Sequence, residues 1–177
     1  LAVYKMYLRD IQRTKSHLLS AAEEKIVAEA GLIGAAPSTI FGVFSNAEMP
    51  FPEITLADGT TAKMNQAAYA RFRASGNRHH RKAVFDAVCG TFSKFKQTFG
   101  TQLSSQVNVD MFHARVRNYD SSLEKALDAG NIPVSVYHAL IGAVHRNLDS
   151  FHRYLRLKQR MLDVDQLEYY DVYAPVV

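Results

Sequence analysis

Apolar residues recur at intervals of three and four over most of the chain, the spacing that gathers side chains onto one face of an α-helix. The clearest run lies in Asn131 to Val177, where Val136, Leu140, Ile141, Val144, Leu148, Phe151 and Leu155 share a face. Pro133 suits the first helical position, which has no use for an N–H and wants φ near −65°. One long helix from about 133 to 162 is therefore predicted. Val84, Val88, Phe92, Phe95, Phe99, Leu103 and Val107 predict a still longer one, from Ser75 as N-cap to about Asn118. Gly90 and Gly100 inside it each cost about 1 kcal/mol against Ala, so bending or a close helix crossing is expected there.

Shorter helices fill much of the remainder. Tyr4, Leu8 and Ile11 mark one from Val3 to Lys15, and Ser20 to Glu23 has the capping-box form that opens another, running to about Gly31. Gly34 and Pro37 are expected to break the pattern, after which Ser38 caps a short helix through Ile40, Phe41 and Phe44. Asn65 or Gln66 opens a helix carrying Tyr69 and Phe72, and Asp120 or Ser121 opens one that Gly130 closes. The period falls to two only once: Ile54 and Leu56, then Ala62 and Met64, flank Asp58-Gly59, which predicts a β-hairpin over 54–64. Because an isolated hairpin is marginal in water, it must pack on helices or project over a cleft. The fold class is mainly all-α, a single multi-helix lobe spanning 1–177.

The polar positions carry the candidate chemistry. His138, His145 and His152 lie seven apart and form a row with Asp149 nearby, yet successive members are roughly 10 Å apart at 1.5 Å rise per residue. One ion, at about 2.1 Å per bond, cannot hold all three. Asp110 with His113 and Asp149 with His152 are both D-x-x-H, akin to the Glu-x-x-His pairs of di-iron bundles, but no bridging Glu declares itself. There is no H-E-x-x-H, no G-x-S-x-G and no Gly-rich phosphate loop. Cys89, beside Val88, is expected to be a small buried residue.

With 47% hydrophobic and 21% charged residues, the chain reads as one soluble globular domain. Its net charge of +4 is mild, and no nucleic-acid partner is expected, although Arg71 to Lys82 holds five basic residues, two histidines and no acid. Cations at a helix start oppose the helix dipole, so an acidic group, such as one on another domain, is expected to face them. A second basic run, Arg153 to Arg160, is followed by Asp163, Asp165, Glu168 and Asp171, which are expected to answer its charge. One cysteine, no glycosylation acceptor, no signal peptide and no apolar run of spanning length suggest a cytoplasmic protein without a membrane partner. The start at Leu1 and the apolar end at Val177 suggest a piece of a longer protein.

The blocks ARVRNY (114–119), SSLEKAL, NIPVSVYHALIGAVHRNL, HRYLRLKQRML and YYDVYAPVV, preceded by APSTIFGVFSNAEMPFPEI and RKAVFDAVCGTFSKF, resemble the oligoendopeptidase F family in the same order. Those are zinc peptidases related to thimet oligopeptidase. The resemblance covers Tyr4 to Val177 and implies a helical amino-terminal lobe forming one wall of a deep cleft. It also implies a carboxy-terminal catalytic lobe bearing zinc, H-E-x-x-H and a later Glu, all missing from this sequence. Short unfolded peptides would be the substrates of that parent, and this segment, with neither catalytic nor metal-ligating residues, would be inactive alone. His145, His152, Arg153 and Tyr154, on or near the histidine row, are the residues singled out to line the substrate cleft. Ser75-Gly76-Asn77 departs from relatives that often place Pro and Asp after the Ser, which should loosen the start of the long helix. The alternative is a self-sufficient helical bundle, either a binding module or a ferritin-like di-metal protein.

Overall fold

Helices dominate, as their periodicity requires, and a computed structural model describes residues 2–176 of them and their connections. A 3-10 turn leads into α1 (Lys5–Thr14), followed by α2 (Ala21–Gly34) and α3 (Ala36–Val43). The hairpin β1 (Glu53–Thr55) and β2 (Thr61–Lys63) precedes α4 (Gln66–Phe72), α5 (Arg78–Lys94) and α6 (Lys96–Val116). Then come α7 (Ser122–Asp128), α8 (Val134–Arg146) and α9 (Leu148–Met161). The chain forms two compact units: residues up to 41 with 100–140, and 42–99 with 141 onward. Helices α3, α6 and α8 contribute residues to both.

Local chemistry explains the boundaries. Ser20 accepts a hydrogen bond from the Glu23 amide while the Glu23 carboxylate accepts from the Ser20 amide, completing the capping box of α2. Asn65 and Ser121 cap α4 and α7 by accepting from the amides of Ala68 and Glu124, at 2.8 and 3.0 Å. The cap of α5 is Asn77, not Ser75: its Oδ1 accepts from the amides of His79 and His80 at 2.9 and 3.4 Å. The Ser-Gly-Asn departure from relatives thus supplies its own N-cap. Likewise Asn131, with φ of 51°, takes the left-handed position that follows α7, where Gly130 was expected to end the helix.

Neither long helix is continuous. The one expected over 75–118 is interrupted at Phe95, whose amide donates to Phe92 three residues back and whose ring packs edge-on against Phe44 at 5.0 Å. The one expected over 133–162 is interrupted at Asn147, where the side-chain amide donates to the Ala143 carbonyl at 2.8 Å, taking the acceptor that its own backbone N–H would use. No close crossing occurs at Gly90 or Gly100, since a methyl added at either meets nothing within 4 Å. The close approach is at Gly34, where it would lie 3.2 Å from Val109.

The segment after Ser20 departs most from the sequence pattern. Pro37 does not break it: as the second residue of α3 it needs no N–H there. Ser38 lies inside α3 and donates to the Ala35 carbonyl instead of capping. Helix α2 does end at Gly34, as expected, but only Ala35 separates it from α3, so Ala21–Glu48 taken together is long and apolar enough, by length and composition, to cross a membrane, against the expectation that no such run exists.

The best-packed core lies in the second unit. Met49, Phe51, Leu56, Met64, Val84 and Val88 form one buried cluster, with Phe44, Phe92, Phe95 and Phe99 against it. Met64 and Val84 are fully enclosed; burying side chains of this size stabilises by about 1.5–3 kcal/mol each. The hairpin belongs to this core, because Leu56, beside its turn, and Met64, at its open end, lie in the same buried cluster as α5 residues Val84 and Val88. Its strands are antiparallel with Ile54 opposite Ala62, and Gly59 at φ 84° makes the turn.

Candidate functional site

Helix α9 and the segment that returns from it form the most clearly built surface of the second unit. Asp163, at φ 51°, turns the chain at the end of α9, and the Gln159 side chain donates to the Asp165 carbonyl at 2.7 Å. The tail then crosses α5. Arg78 donates to the Gln166 carbonyl at 2.9 Å, and Phe85 meets the rings of Tyr169 and Tyr170 at 5.7 and 5.9 Å. Arg73 stacks over Tyr173 at 3.8 Å, and the buried Lys158 ammonium of α9 donates to the Ala174 carbonyl at 2.8 Å.

Asp171 is the centre of this lock. Its carboxylate is wholly buried and accepts from Arg78 Nη2 at 2.9 Å, from Arg81 Nη2 at 2.8 Å and from the Glu168 amide at 3.0 Å. Burial pushes its pKa up, but the hydrogen bonds from Arg78 and Arg81 outweigh that and hold the carboxyl below the usual carboxylate range. Arg81 is 3% exposed and also donates to the carbonyls of Ser75 and Gly76. The acidic group facing the 71–82 cluster is therefore a residue of this same chain.

Held in this way, α9 shows three faces. Leu155, Lys158 and Leu162 lie inward or partly covered. Tyr154, Leu157 and Met161 form an exposed apolar stripe, and Phe151 stacks on Tyr154 at 6.5 Å between centroids. Arg153, Arg156 and Arg160 form a third, basic face and are all exposed. The cleft residues singled out in the sequence fall here: His152, Arg153 and Tyr154 on α9, and His145 in the last turn of α8, all exposed. The histidine row is not straight, because the interruption at Asn147 separates His138 and His145 from His152.

Asp163, Asp165, Glu168 and Asp171 do not answer the basic run as expected. Asp171 is committed to Arg78 and Arg81, and among the described residues no ion pair involves Arg153, Arg156 or Arg160. Neither D-x-x-H pair recruits further ligands, since no group of three or more His, Cys, Asp and Glu able to hold a metal ion exists among the described residues. Cys89 is half-buried instead of fully enclosed, and burial, with Asp86 nearby, pushes its thiol pKa up, away from a nucleophilic thiolate.

The first unit carries polar locks of its own. Arg117 forms a two-pronged ion pair with Glu24, with both contacts at 2.8 Å. His17 stacks flat on Tyr119 at 3.7 Å, and the Tyr119 hydroxyl donates to Asp128 at 2.8 Å, a carboxylate that Arg13 also pairs.

Comparison with known proteins gives a consistent result. Residues 1–51 match the family model described as oligopeptidase F, and residues 71–177 match that of peptidase family M3. Oligopeptidase PepF of Bacillus subtilis (strain 168) is 37% identical over 177 residues, which is 100% of this chain and 26% of that protein. Group B oligopeptidase PepB of Streptococcus agalactiae is 35% identical, over 98% of this chain and 29% of its own length. The crystal structure of oligoendopeptidase-F from Enterococcus faecium superposes with a TM-score of 0.94 at 36% identity, covering all of this chain and 35% of that one. The chain thus spans about a quarter to a third of the length of the relatives it matches.

Proposed function

Because the chain belongs to peptidase family M3, as an oligoendopeptidase F-type sequence, we propose that it supplies a peptide-binding wall to a zinc-dependent oligopeptidase. The observation that carries this is α9, a helix locked in place by its own tail yet exposing an apolar stripe and a basic face. Exposed apolar residues aligned on a rigid helix mark a surface made to be covered. Here Tyr154, Leu157 and Met161 are that surface, and short unfolded peptides or the rest of a longer chain are what cover it.

Zinc hydrolysis of an amide needs a metal-bound water and a ligand set, and the described residues offer no such set. No step of bond cleavage is therefore assigned to this chain. Its part is to bind and orient: Tyr154 offers a ring face, and His145, His152 and Arg153 offer polar contacts to an extended backbone. A cytoplasmic setting and a catalytic lobe elsewhere in the protein complete the proposal.

Titrating an isotope-labelled chain with a neutral seven-residue peptide tests it. Amide shifts should concentrate at His145 and at His152 to Met161, and Tyr154→Ala should weaken binding severalfold. Shifts confined to other helices, or binding indifferent to Tyr154→Ala, would overturn it.

A further inference from the structure

We propose that the basic face of α9 is a carboxylate-recognition site that selects acidic peptides. Arg153, Arg156 and Arg160 project along one side of the helix and, with Gln159, line a surface hollow of about 490 Å³. Three guanidiniums on one face repel one another, and no acid among the described residues pairs with any of them. By contrast, Arg78 and Arg81 of the same unit are both paired with Asp171. Asp171 is carried to Arg78 and Arg81, and neither Asp163 nor Asp165 pairs with this face among the described residues.

The spacing suits an extended peptide. Arg156 and Arg160 are one turn apart, about 6 Å along the axis, and same-side residues of an extended strand repeat at about 6.6 Å. Two carboxylates on alternate residues of a peptide therefore meet successive arginines, each able to form a two-pronged bond. An acidic segment of the protein itself is the weaker occupant. A packed intramolecular interface would have to keep all three arginines desolvated at a heavy cost, whereas on an exposed face they stay hydrated until a peptide arrives. Tyr154 and Leu157, on the neighbouring stripe, would then take the peptide's apolar residues. The identity of the ligand as a peptide rests on the function proposed above.

Fluorescently labelled nine-residue peptides with amidated C-termini, in acidic, neutral and basic versions, test the inference by anisotropy against the 177-residue chain. At about 20 mM salt the acidic peptide should bind at least tenfold tighter than the neutral one, and the gap should close towards about 200 mM as the charges are screened. Replacing Arg153→Gln, Arg156→Gln and Arg160→Gln together should abolish the preference. These side chains are exposed and unpaired, so circular dichroism and melting temperature should not change. A control that removes the same charge elsewhere, Lys63→Gln with Lys94→Gln and Lys96→Gln, should cost less than twofold. Equal binding of acidic and neutral peptides, or an equal loss in the control, would overturn the proposal. If neutral peptides bind at α9 without any acidic preference, the peptide wall survives and the carboxylate site falls. If acidic peptides alone bind, through the arginines, the site stands and the general peptide wall falls.

Discussion

Removing the Asp171 carboxylate should destabilise the fold more than most single changes. The carboxylate is 0% exposed, Arg81 is 3% exposed, and Arg78 is partly open at 39%. Deleting one member of a buried pair leaves an uncompensated charge and costs about 3–5 kcal/mol. The Ser75 and Gly76 carbonyls still receive Arg81, which places Asp171→Ala near the lower end, about 3 kcal/mol. Arg78, being partly solvated, adds only a few tenths. Urea unfolding followed by circular dichroism should show the midpoint falling accordingly, with near-ultraviolet signal lost as Tyr169 and Tyr170 leave Phe85. Combining Asp171→Leu with Arg81→Met should recover most of the loss, because no buried charge is then stranded and Arg78 is partly solvated. The pH dependence has a definite sign. A carboxyl held below its ordinary value contributes stability that is complete above the unfolded-state pKa of about 3.9. That contribution is lost as pH falls through the depressed folded value, so wild type and variant should converge below about pH 4. A cost under about 1 kcal/mol at neutral pH, or a gap that persists in acid, would refute the assignment of Asp171 as the lock.

Other consequences can be checked more briefly. Tyr119 is pushed up to about 12, by burial first and by its bond to Asp128 second; ultraviolet titration should show one of the nine tyrosines ionising late, and Tyr119→Phe should remove that step. The sign follows: stability from this group is complete below about pH 10 and is lost as pH rises through 12. Gly90→Ala, inside α5 with nothing within 4 Å of the added methyl, should stabilise by about 0.5–1 kcal/mol in thermal melts, whereas Gly59→Ala, at φ 84°, should destabilise.

Periodicity, capping boxes and turn chemistry are properties of short stretches, and these were legible directly. The amphipathic spacing called the helices, Ser20 with Glu23 called the start of α2, and Asp58-Gly59 called the hairpin, while a run of family-like blocks called the peptidase relationship. The interruptions were not legible. At Phe95 an aromatic contact, and at Asn147 a side-chain amide competing for a carbonyl, override a hydrophobic pattern that continues unbroken through both positions. Pro37 does not break the helix because a proline is harmless or disruptive according to its place in the first turn, which the pattern leaves open by a residue or two.

Charge was the least readable quantity, for a physical reason. Proximity in sequence suggested that Asp163 to Asp171 neutralise the arginines of α9, and that Arg71 to Lys82 await a partner on another domain. The tail instead carries Asp171 across to Arg78 and Arg81, 93 and 90 residues away. Local sequence therefore determined which segments are helical and to which family the chain belongs, because those depend on nearest-neighbour spacing and block order. Only the tertiary structure decided which charges are spent holding the fold and which remain open on α9, because ion pairing depends on where the chain returns in space.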